Sequence, residues 1–287
     1  MEFRNYTPDD YEAVCDFLIA LNRNDCCHIN WNWARFEWMA EHPEFDKTAM
    51  SSIGLWREES KIVGAAIYDM YFGEGFCGTL PEYAQRYPEI LDYACKELRD
   101  NAGFGLAICD DNEAEIDAAK KCGFVRSKQE ETVMKRELVK PLPAMLPEGF
   151  RFVTLDPAAK AYSFQWLLWQ GFDHGTDKAE FERAEPIVPQ NRRHLNKNLS
   201  VAVIDPSGEN AAYCCVWHHE HTDYAYVEPV CTVPAHRGKG LAAAAVSEAL
   251  NRARKLGAKR AYVISDLSFY EKLGFMKSKH YSFYWRK

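Results

Sequence analysis

A glycine-rich loop with two basic residues lies directly before an alanine-rich run in the stretch HRGKGLAAAAV, residues 236–246. In it Arg237 and Lys239 alternate with Gly238 and Gly240. Glycine lets a ligand approach the backbone closely, and the unpaired N–H groups at the start of a helix favour an anion. These residues therefore predict a phosphate-binding loop. A flexible helix entrance with two solvated basic residues explains the same pattern, and the loop alone favours neither reading.

The elements on either side of the loop support the first reading. The run YAYVEPVCTV (224–233) is rich in Val, Tyr and Thr, which is typical of a β-strand, and Pro234 ends it. After the loop, Val246, Leu250 and Ala253 recur on one face of a predicted helix. The order strand, loop, helix points the free N–H groups of the helix into the loop.

A dinucleotide-binding fold is the first alternative, because GKGLAA fits the pattern G-x-G-x-x-A and Asp266 follows after the next strand-like run. That fold needs several further βα units. Only about 20 residues remain after Asp266, so the chain has no room for them.

Two motifs together carry a family resemblance. The pattern V-P-x-x-R-G-K-G-L-A follows a β run, and after a helix and a strand comes FYEKLGF (269–275). This combination resembles the GNAT superfamily of acetyl-coenzyme-A-dependent N-acyltransferases. The C-terminal half matches over most of its length, whereas the N-terminal half matches only in its order of elements and in its CGF. The arrangement is similar to mycothiol-synthase-like and other two-domain GNAT proteins.

The resemblance implies a binding site for acetyl-CoA. The preceding strand pairs with the pantetheine arm in the family, which assigns that role to Cys231, Thr232 and Val233. The pyrophosphate is bound by backbone N–H groups of the loop and helix start. The residues in that position are Arg237, Gly238, Lys239, Gly240, Leu241, Ala242 and Ala243.

Acyl transfer to an amine needs a base, because an ammonium has no lone pair, and it needs a donor for the developing oxyanion. Glu228 is the candidate base, acting directly or through water, although a surface glutamate beside Pro229 is an equal alternative. A backbone N–H near Val233 is the expected oxyanion donor. In the family a tyrosine before the Gly-Phe pair protonates the leaving thiolate. Tyr270 stands there, and the alternative is that its ring packs on Phe275.

Proline within a strand cannot donate to the ladder. Pro229 therefore predicts a break or bulge in the 224–233 strand, which would leave backbone groups free for an extended ligand.

The two halves of the chain share an order of elements. Residues 8–22 and 156–172 predict helices, while 51–70 and 199–219 each predict a hairpin. The proline-rich stretch VKPLPAMLPEGF (139–150) predicts a connector, and we place the domains at 1–140 and 141–287.

The first half lacks the glycine loop. In its place the sequence has QRYPE, with bulky side chains and a proline, and Ala119 occupies the tyrosine position. The sequence therefore predicts a single active site, in the second half, with the first half acting as scaffold or as a wall of the substrate pocket.

Composition limits the function classes. The net charge of −7 argues against general nucleic-acid binding, and 47% hydrophobic residues suffice for a proper core. The ten cysteines form no CxxC pair. Together with the lack of a visible signal peptide or membrane span, this predicts reduced thiols in a cytoplasmic protein.

Two further clusters invite functional readings. HHEH (218–221) suggests a metal, but on a strand His219 and His221 would share one face and the other two residues the opposite face, so no metal site is expected. The aromatic stretch HINWNWARFEWM (28–39) predicts core packing of a helix pair, with an aromatic pocket for a cationic amine as the alternative.

The sequence thus predicts an α/β protein of two GNAT-like domains, each a mostly antiparallel sheet flanked by helices with a splayed central strand pair. The predicted activity is acyl transfer from acetyl-CoA to the amine of a small molecule or peptide, by direct attack in a ternary complex and without a metal. The alternative is a non-catalytic acyl-CoA sensor. We expect a monomer or homodimer with no nucleic-acid or membrane partner.

Overall fold

The computed structural model describes residues 2–23, 26–42, 44–184, 187–190 and 192–287. The chain forms two compact units, each with its own buried core. The first unit comprises Met1–Met134, Ile264–Tyr270 and Met276–Lys287. The second unit comprises Lys135–Val263 and Glu271–Phe275.

The first unit contains a mixed sheet with the strand order β1-β2-β3-β4-β5-β12. Its strands are β1 (Glu2–Asn5), β2 (Gly54–Glu58), β3 (Lys61–Asp69), β4 (Tyr71–Thr79), β5 (Phe104–Cys109) and β12 (Met276–Arg286). Its helices are α1 (Tyr11–Leu21), α2 (Trp33–Ala40), α3 (Tyr87–Glu97) and α4 (Glu113–Lys121). The strand β6 (Val125–Glu137) follows α4, and the division between the units falls inside it.

The last strand of the chain completes the sheet of the first unit. β12 pairs antiparallel with β5, with Tyr281 opposite Cys109 and Arg286 opposite Phe104. Gly105 makes room for this pairing, because a Cβ there would lie 2.3 Å from the Trp285 ring. The boundary at 140/141 stays a prediction, and the compact units differ from it by placing 264–270 and 276–287 with the first half.

The second unit contains the strand order β11-β10-β9-β8-β7. Its strands are β7 (Arg151–Thr154), β8 (Ser200–Ile204), β9 (Asn210–His218), β10 (Tyr224–Thr232) and β11 (Arg260–Ile264). Its helices are α5 (Ala161–Gly171), α6 (Lys178–Ala184) and α7 (Leu241–Lys255). The short helix α8 (Ser268–Lys272) follows β11.

Among the described residues, the strand order of each unit includes one short parallel pairing. β10 pairs in parallel with β11 from Tyr224 to Tyr226, while on its other side it stays paired with β9 as far as Thr232. In the first unit, β4 pairs in parallel with β5 only at Glu74 and Gly75. The other pairings that form the two sheets are antiparallel. This confirms the prediction of mostly antiparallel sheets with a splayed strand pair.

The predicted periodicities correspond to buried faces. In α1 the residues at helical spacing, Val14 and Leu18, are fully buried, and so are Val246, Leu250 and Ala253 in α7. Burying such an apolar stripe is what fixes a helix against its sheet.

The aromatic stretch 28–39 packs mainly into the core, as predicted. Trp31 and Phe36 are buried, with α2 beginning at Trp33. The Arg35 guanidinium lies 5.1 Å from the centroid of the Trp31 ring and pairs with Asp69 at 2.8 Å. The Arg35 guanidinium therefore already contacts the Trp31 ring as a cation.

The bulge predicted from Pro229 is confirmed. The register of β10 against β9 shifts between Val227 and Val230, and the Glu228–Pro229 peptide bond inside the shift is cis. The geometry predicted for HHEH is wrong, because β9 ends at His218 and residues 219–223 form the turn to β10. Strand alternation does not apply in a turn, and the His219 and His221 rings lie 5.1 Å apart.

We expect that ending the chain after Lys277 unfolds the first unit, because β5 would lose its antiparallel partner and its unpaired N–H and C=O groups would be left at a sheet edge. Hydrogen exchange read by mass spectrometry would test this: β5 amides should lose protection, whereas β8 and β9 amides keep theirs. Unchanged protection in β5 would contradict the pairing.

Candidate functional site

The glycine loop is held open by its backbone. A 3₁₀ helix at Pro234–His236 leads into it, and Gly238 and Gly240 have φ of 78° and 76°. Left-handed φ values strongly favour glycine. A Cβ at either glycine would meet no described atom within 4 Å, so the backbone faces open space.

The N–H groups from residue 238 to residue 243 find no acceptor within the part of the chain that the structure describes. The first helical bond after the loop runs from the Ala244 N–H to the Gly240 carbonyl at 3.0 Å. Among the described residues, no acceptor bonds the backbone N–H groups of residues 238–243. Several donors and the positive end of the α7 dipole therefore face the same space, which is the arrangement that binds an anion.

Arg237 braces the site. Its guanidinium donates to the Thr232 carbonyl at 3.2 Å and to the Gly171 carbonyl at 3.1 Å, and it pairs with Asp173 at 2.9 Å. Arg237 thus ties the end of β10 to the end of α5. Both members of the ion pair are substantially exposed, so the pair itself contributes little stability.

Lys239 provides charge at the loop. Its Nζ lies 3.1 Å from His236 Nδ1 and 5.7 Å from the centroid of the Phe150 ring. Within the part of the chain that the structure describes, no carboxylate lies within salt-bridge distance of it. His236 in turn contacts Asp205 at 3.3 Å. Lys239 therefore remains available to an anion at the loop.

The strand β10 presents alternate backbone groups to its two sides. The Val233 N–H donates to the Ala211 carbonyl at 2.9 Å, so it points toward β9. The Val233 N–H is therefore already paired, and the expected oxyanion donor near Val233 stays a prediction for the neighbouring N–H groups. Strand alternation directs Val230 and Thr232 to the opposite side, where the described residues of β11 no longer pair with β10.

Cys231 belongs to the packing between β10 and α5. Its side chain is buried, and a Cβ at Gly171 would lie 2.5 Å from its Sγ, so glycine at that position permits the contact. Burial raises the pKa of the Cys231 thiol to about 12, with Arg237 opposing the rise. The thiol is therefore neutral at physiological pH and holds the two elements together.

Hydrogen bonds to both the side chain and the backbone of Glu228 fix its position. Its Oε2 accepts a hydrogen bond from the Tyr226 hydroxyl at 2.6 Å, and its backbone carbonyl accepts one from Trp217 Nε1 at 2.8 Å. Glu228 is half-buried, while Tyr226 and Trp217 are buried. The bulge residue thus carries a carboxylate with a fixed direction.

Tyr270 lies in α8 and is 7% exposed. Its backbone N–H donates to the Leu267 carbonyl at 3.0 Å, and its ring contacts the Phe269 ring edge-on with 4.9 Å between centroids. The structure thus brings Glu228, the β10 residues and the loop together in the second unit. Tyr270 falls within the residues grouped with the first unit, and its role stays a prediction.

The corresponding stretch of the first unit has another conformation. After β4 the chain forms a 3₁₀ helix at Pro81–Arg86 that runs directly into α3 at Tyr87. Pro88 occupies the first turn of α3, where its missing N–H costs nothing. Ala119, at the tyrosine position, is fully buried. No glycine stands in 80–98, so the backbone cradle of the second unit has no counterpart there.

The architecture described above is that of a mixed α/β protein of the GNAT type. Residues 161–275 match the model of the Acetyltransferase (GNAT) family, and this part of the chain is a GNAT acetyltransferase domain. No curated protein sequence matches the chain at a significant level.

Solved structures share the fold over nearly the whole chain. A tandem GNAT protein from the clavulanic acid biosynthesis pathway, in a structure without AcCoA, has a TM-score of 0.60 at 16% identity, covering 99% of this chain and 97% of its own. A GCN5-related N-acetyltransferase from Sphaerobacter thermophilus has a TM-score of 0.59 at 13% identity, covering 99% and 95%. An acetyltransferase of the GNAT family from Colwellia psychrerythraea has a TM-score of 0.55 at 12% identity, covering 100% of both chains.

At these identities the likeness to solved structures concerns the fold, and it includes tandem GNAT proteins. The predicted fold class is confirmed, and the family match supports acyl transfer as the general activity. The described helices include none that is both long enough and apolar enough to span a membrane. All ten cysteines lie within the described residues, and none of them forms a disulfide bond.

Sequence reasoning missed the supports of the loop. Asp173, Gly171 and Phe150 contact Arg237 or Lys239, yet they lie far from the loop in sequence. No local pattern signals such contacts, because they depend on how α5 and the segment before β7 fold onto β10.

We expect Cys231 to resist thiol reagents in the folded protein at pH 8, because a thiol with a pKa of about 12 is protonated there and its side chain is buried. Alkylation followed by mass spectrometry should modify the half-exposed Cys122 well before Cys231, and denaturant should equalise the two. Rapid native labelling of Cys231 would contradict its assignment as packing and would reopen a covalent mechanism.

Proposed function

We propose that the second unit binds acetyl-CoA and transfers its acetyl group to the amine of a small molecule or peptide. The observation that carries the proposal is that the N–H groups of residues 238–243 have no acceptor among the described residues, around two glycines whose backbone faces open space. Such a cradle suits a pyrophosphate, which carries adjacent negative charges and accepts several hydrogen bonds.

The remaining binding surface fits an extended arm. The N–H and C=O groups of Val230 point to the side of β10 that has lost its partner strand, and they are positioned to pair with amides of a pantetheine chain. The Thr232 N–H points in the same direction. The Thr232 carbonyl already accepts a hydrogen bond from Arg237, so the N–H is the group that Thr232 offers to the arm. Bound coenzyme A would supply an activated acyl thioester at the bulged end of this strand.

Glu228 takes the proton of the acceptor amine in the proposed mechanism. Its carboxylate accepts a hydrogen bond from the Tyr226 hydroxyl and is half-exposed, so the acceptor amine reaches it directly or through water. The outward-facing N–H of Val230 or Thr232 stabilises the negative charge that develops on the acyl oxygen. Tyr270 donates a proton to the departing thiolate.

The direct transfer is supported by the state of the thiols near the strand. Burial raises the pKa of Cys231 to about 12 and that of Cys215 to about 12 as well, and the pKa of Cys214 is also raised by burial. Neutral buried thiols are poor nucleophiles. The amine therefore attacks the thioester without a cysteine acyl intermediate.

Turnover distinguishes an enzyme from an acyl-CoA sensor. We expect thiol release from acetyl-CoA with at least one member of a panel of polyamines, amino acids and peptide N-termini. Glu228→Gln should lower kcat/KM by about 100-fold, because general-base catalysis contributes that much or more. Glu220→Gln, in the exposed turn before β10, is the matched control and should be neutral. Tight coenzyme A binding with no release for any amine would establish the sensor instead.

Tyr270→Phe removes only a hydroxyl, and we expect it to lower kcat by about 100-fold with little change in KM. Tyr284→Phe removes the hydroxyl of another buried tyrosine and serves as the control. Single-turnover measurement of thiol release reads the step itself. A wild-type rate in Tyr270→Phe would remove the general-acid assignment while leaving acyl transfer intact.

Gly240→Ala should weaken coenzyme A binding by about tenfold or more, because alanine disfavours φ of 76° and shifts the N–H groups of the cradle. Gly208→Ala is the control: its φ is 92° and a Cβ there also meets no described atom within 4 Å, but it lies in the hairpin before β9. Both variants should lose similar stability, about 1 kcal/mol, in denaturant titrations. Equal loss of coenzyme A affinity in calorimetry would exclude the loop as the binding site.

A further inference from the structure

Two cysteines of the first unit meet beside a lysine at the end of β5. Cys109 is the last residue of β5, and the Cys27 thiol donates a hydrogen bond to its sulfur. Lys279 Nζ lies 3.9 Å from Cys27 Sγ and pairs with the Asp111 carboxylate at 2.8 Å. All four residues belong to the first unit, and the proposed acyl transfer uses none of them.

The pairing of β12 with β5 brings the lysine to the thiols. The two strands are antiparallel, with Tyr281 opposite Cys109. Lys279 lies two residues before Tyr281, so the antiparallel direction places it beside the turn that follows β5. Cys27 and Lys279 are 252 positions apart in the sequence, and tertiary packing joins them.

The surroundings of Cys109 stabilise a thiolate. The hydrogen bond from the Cys27 thiol lowers the pKa of Cys109 below its ordinary value. A hydrogen bond from the Asp111 backbone N–H and the positive charge of Lys279 add to this effect, and together they outweigh the opposing effect of burial. The thiolate is the nucleophilic form of cysteine. The pair therefore combines an ionisable sulfur with a second thiol in contact with it, which is what closing to a disulfide requires.

Other cysteines of the first unit have different surroundings. Burial raises the pKa of Cys95 to about 11, even though Arg286 opposes the rise, and burial also raises the pKa of Cys122. The Cys26 thiol, adjacent to Cys27 in the sequence, donates to a backbone carbonyl of α1's end at Asn22, 3.3 Å away. Cys95 and Cys26 therefore provide comparison thiols within the same unit.

Burial limits which oxidants reach the pair. Cys27 is 8% exposed and Cys109 2%, and the Lys279 side chain in contact with Cys27 is 18% exposed. Exchange with a bulky disulfide such as glutathione disulfide requires a thiolate to approach one of its sulfur atoms, which this burial prevents. Hydrogen peroxide is close to water in size. The Lys279 ammonium also favours an anionic sulfur and repels a metal cation.

We propose that Cys27 and Cys109 form an oxidative modification site, activated by Lys279, at which hydrogen peroxide converts the two thiols into an intramolecular disulfide. The Cys109 thiolate attacks one peroxide oxygen. An S–O bond forms, the O–O bond breaks, and the second oxygen leaves as hydroxide, which takes up a proton to become water.

The second step closes the disulfide. The Cys27 thiol loses its proton and its sulfur attacks the sulfenic sulfur of Cys109. The S–S bond forms, the S–O bond breaks, and the departing hydroxide takes up a proton to become the second water. The two sulfurs together lose two electrons and the peroxide gains them, so two thiols and one peroxide give one disulfide and two waters.

This site goes beyond the proposed acyl transfer, because it lies within the first unit and needs neither coenzyme A nor an acceptor amine. Its failure would leave the proposed transferase function untouched, and failure of the transferase would leave the site untouched.

Peptide mapping by mass spectrometry on the full chain treated with hydrogen peroxide tests the proposal. We expect a peptide linked through Cys27 and Cys109, lighter than the two separate peptides by two hydrogen atoms. It should form at least about tenfold faster than Cys95 is oxidised, because the thiolate fraction falls about tenfold for each unit by which a pKa exceeds the pH. Dithiothreitol should restore both thiols, and fragmentation of the peptide distinguishes Cys27 from Cys26.

Cysteine variants separate the two steps. Cys27→Ser leaves the Cys109 sulfenic acid without a second thiol, so Cys109 should accumulate as sulfinic acid. Cys109→Ser should leave Cys27 reduced under the same treatment. Cys26→Ser is the matched control and should form the linked peptide at the wild-type rate.

Lys279→Gln should slow formation of the linked peptide severalfold, and Lys279→Arg should restore most of the rate because it keeps the charge. Lys277→Gln, exposed and two residues earlier on the same strand, is the matched control. Thermal melting verifies that each variant folds. In the wild-type protein, linkage no faster than Cys95 oxidation or linkage through Cys26 would overturn the proposal, and so would an undiminished rate in Lys279→Gln.

Discussion

The divergence of β10 from β11 after Tyr226 is the constraint on which the candidate site depends. A strand can keep its hydrogen bonds on one side and give them up on the other only if something compensates for the unpaired groups. β10 stays paired with β9 on both sides of the bulge at Glu228 and Pro229, as far as Thr232. The same bulge directs the Glu228 carboxylate. The strand then leads into the loop, where the N–H groups of residues 238–243 have no acceptor among the described residues.

The support of that site is a second layer of contacts at the back of β10. Cys231 fits against Gly171 of α5, and Arg237 reaches across to the carbonyl of the same glycine. A single small residue therefore serves two purposes, since it allows close packing of the helix and exposes a backbone acceptor. Because packed interiors tolerate little change in volume, this arrangement holds the strand and the loop at a fixed spacing.

Local sequence signals predicted the parts of the site that depend on local chemistry. Gly238 and Gly240 indicated left-handed backbone, and Pro229 indicated a break in pairing, because each residue restricts or frees its own dihedral angles. The interpretation of HHEH was wrong because β9 ends at His218, the first residue of that stretch. The Arg237–Asp173 pair spans 64 positions, and no property of either residue alone specifies it. The sequence did not predict the pairing of β12 with β5 for the same reason, because tertiary packing determines which strands pair.

That pairing has a consequence for the order in which the protein is made. Nearly all of the first unit emerges early during synthesis, but β12 follows the second unit in the sequence. β5 must therefore wait, with its edge unpaired, while the whole second unit is translated. A nascent edge of this kind is exposed to wrong partners for that interval. The second unit can fold first, and the strand that follows it then completes the sheet of the first unit.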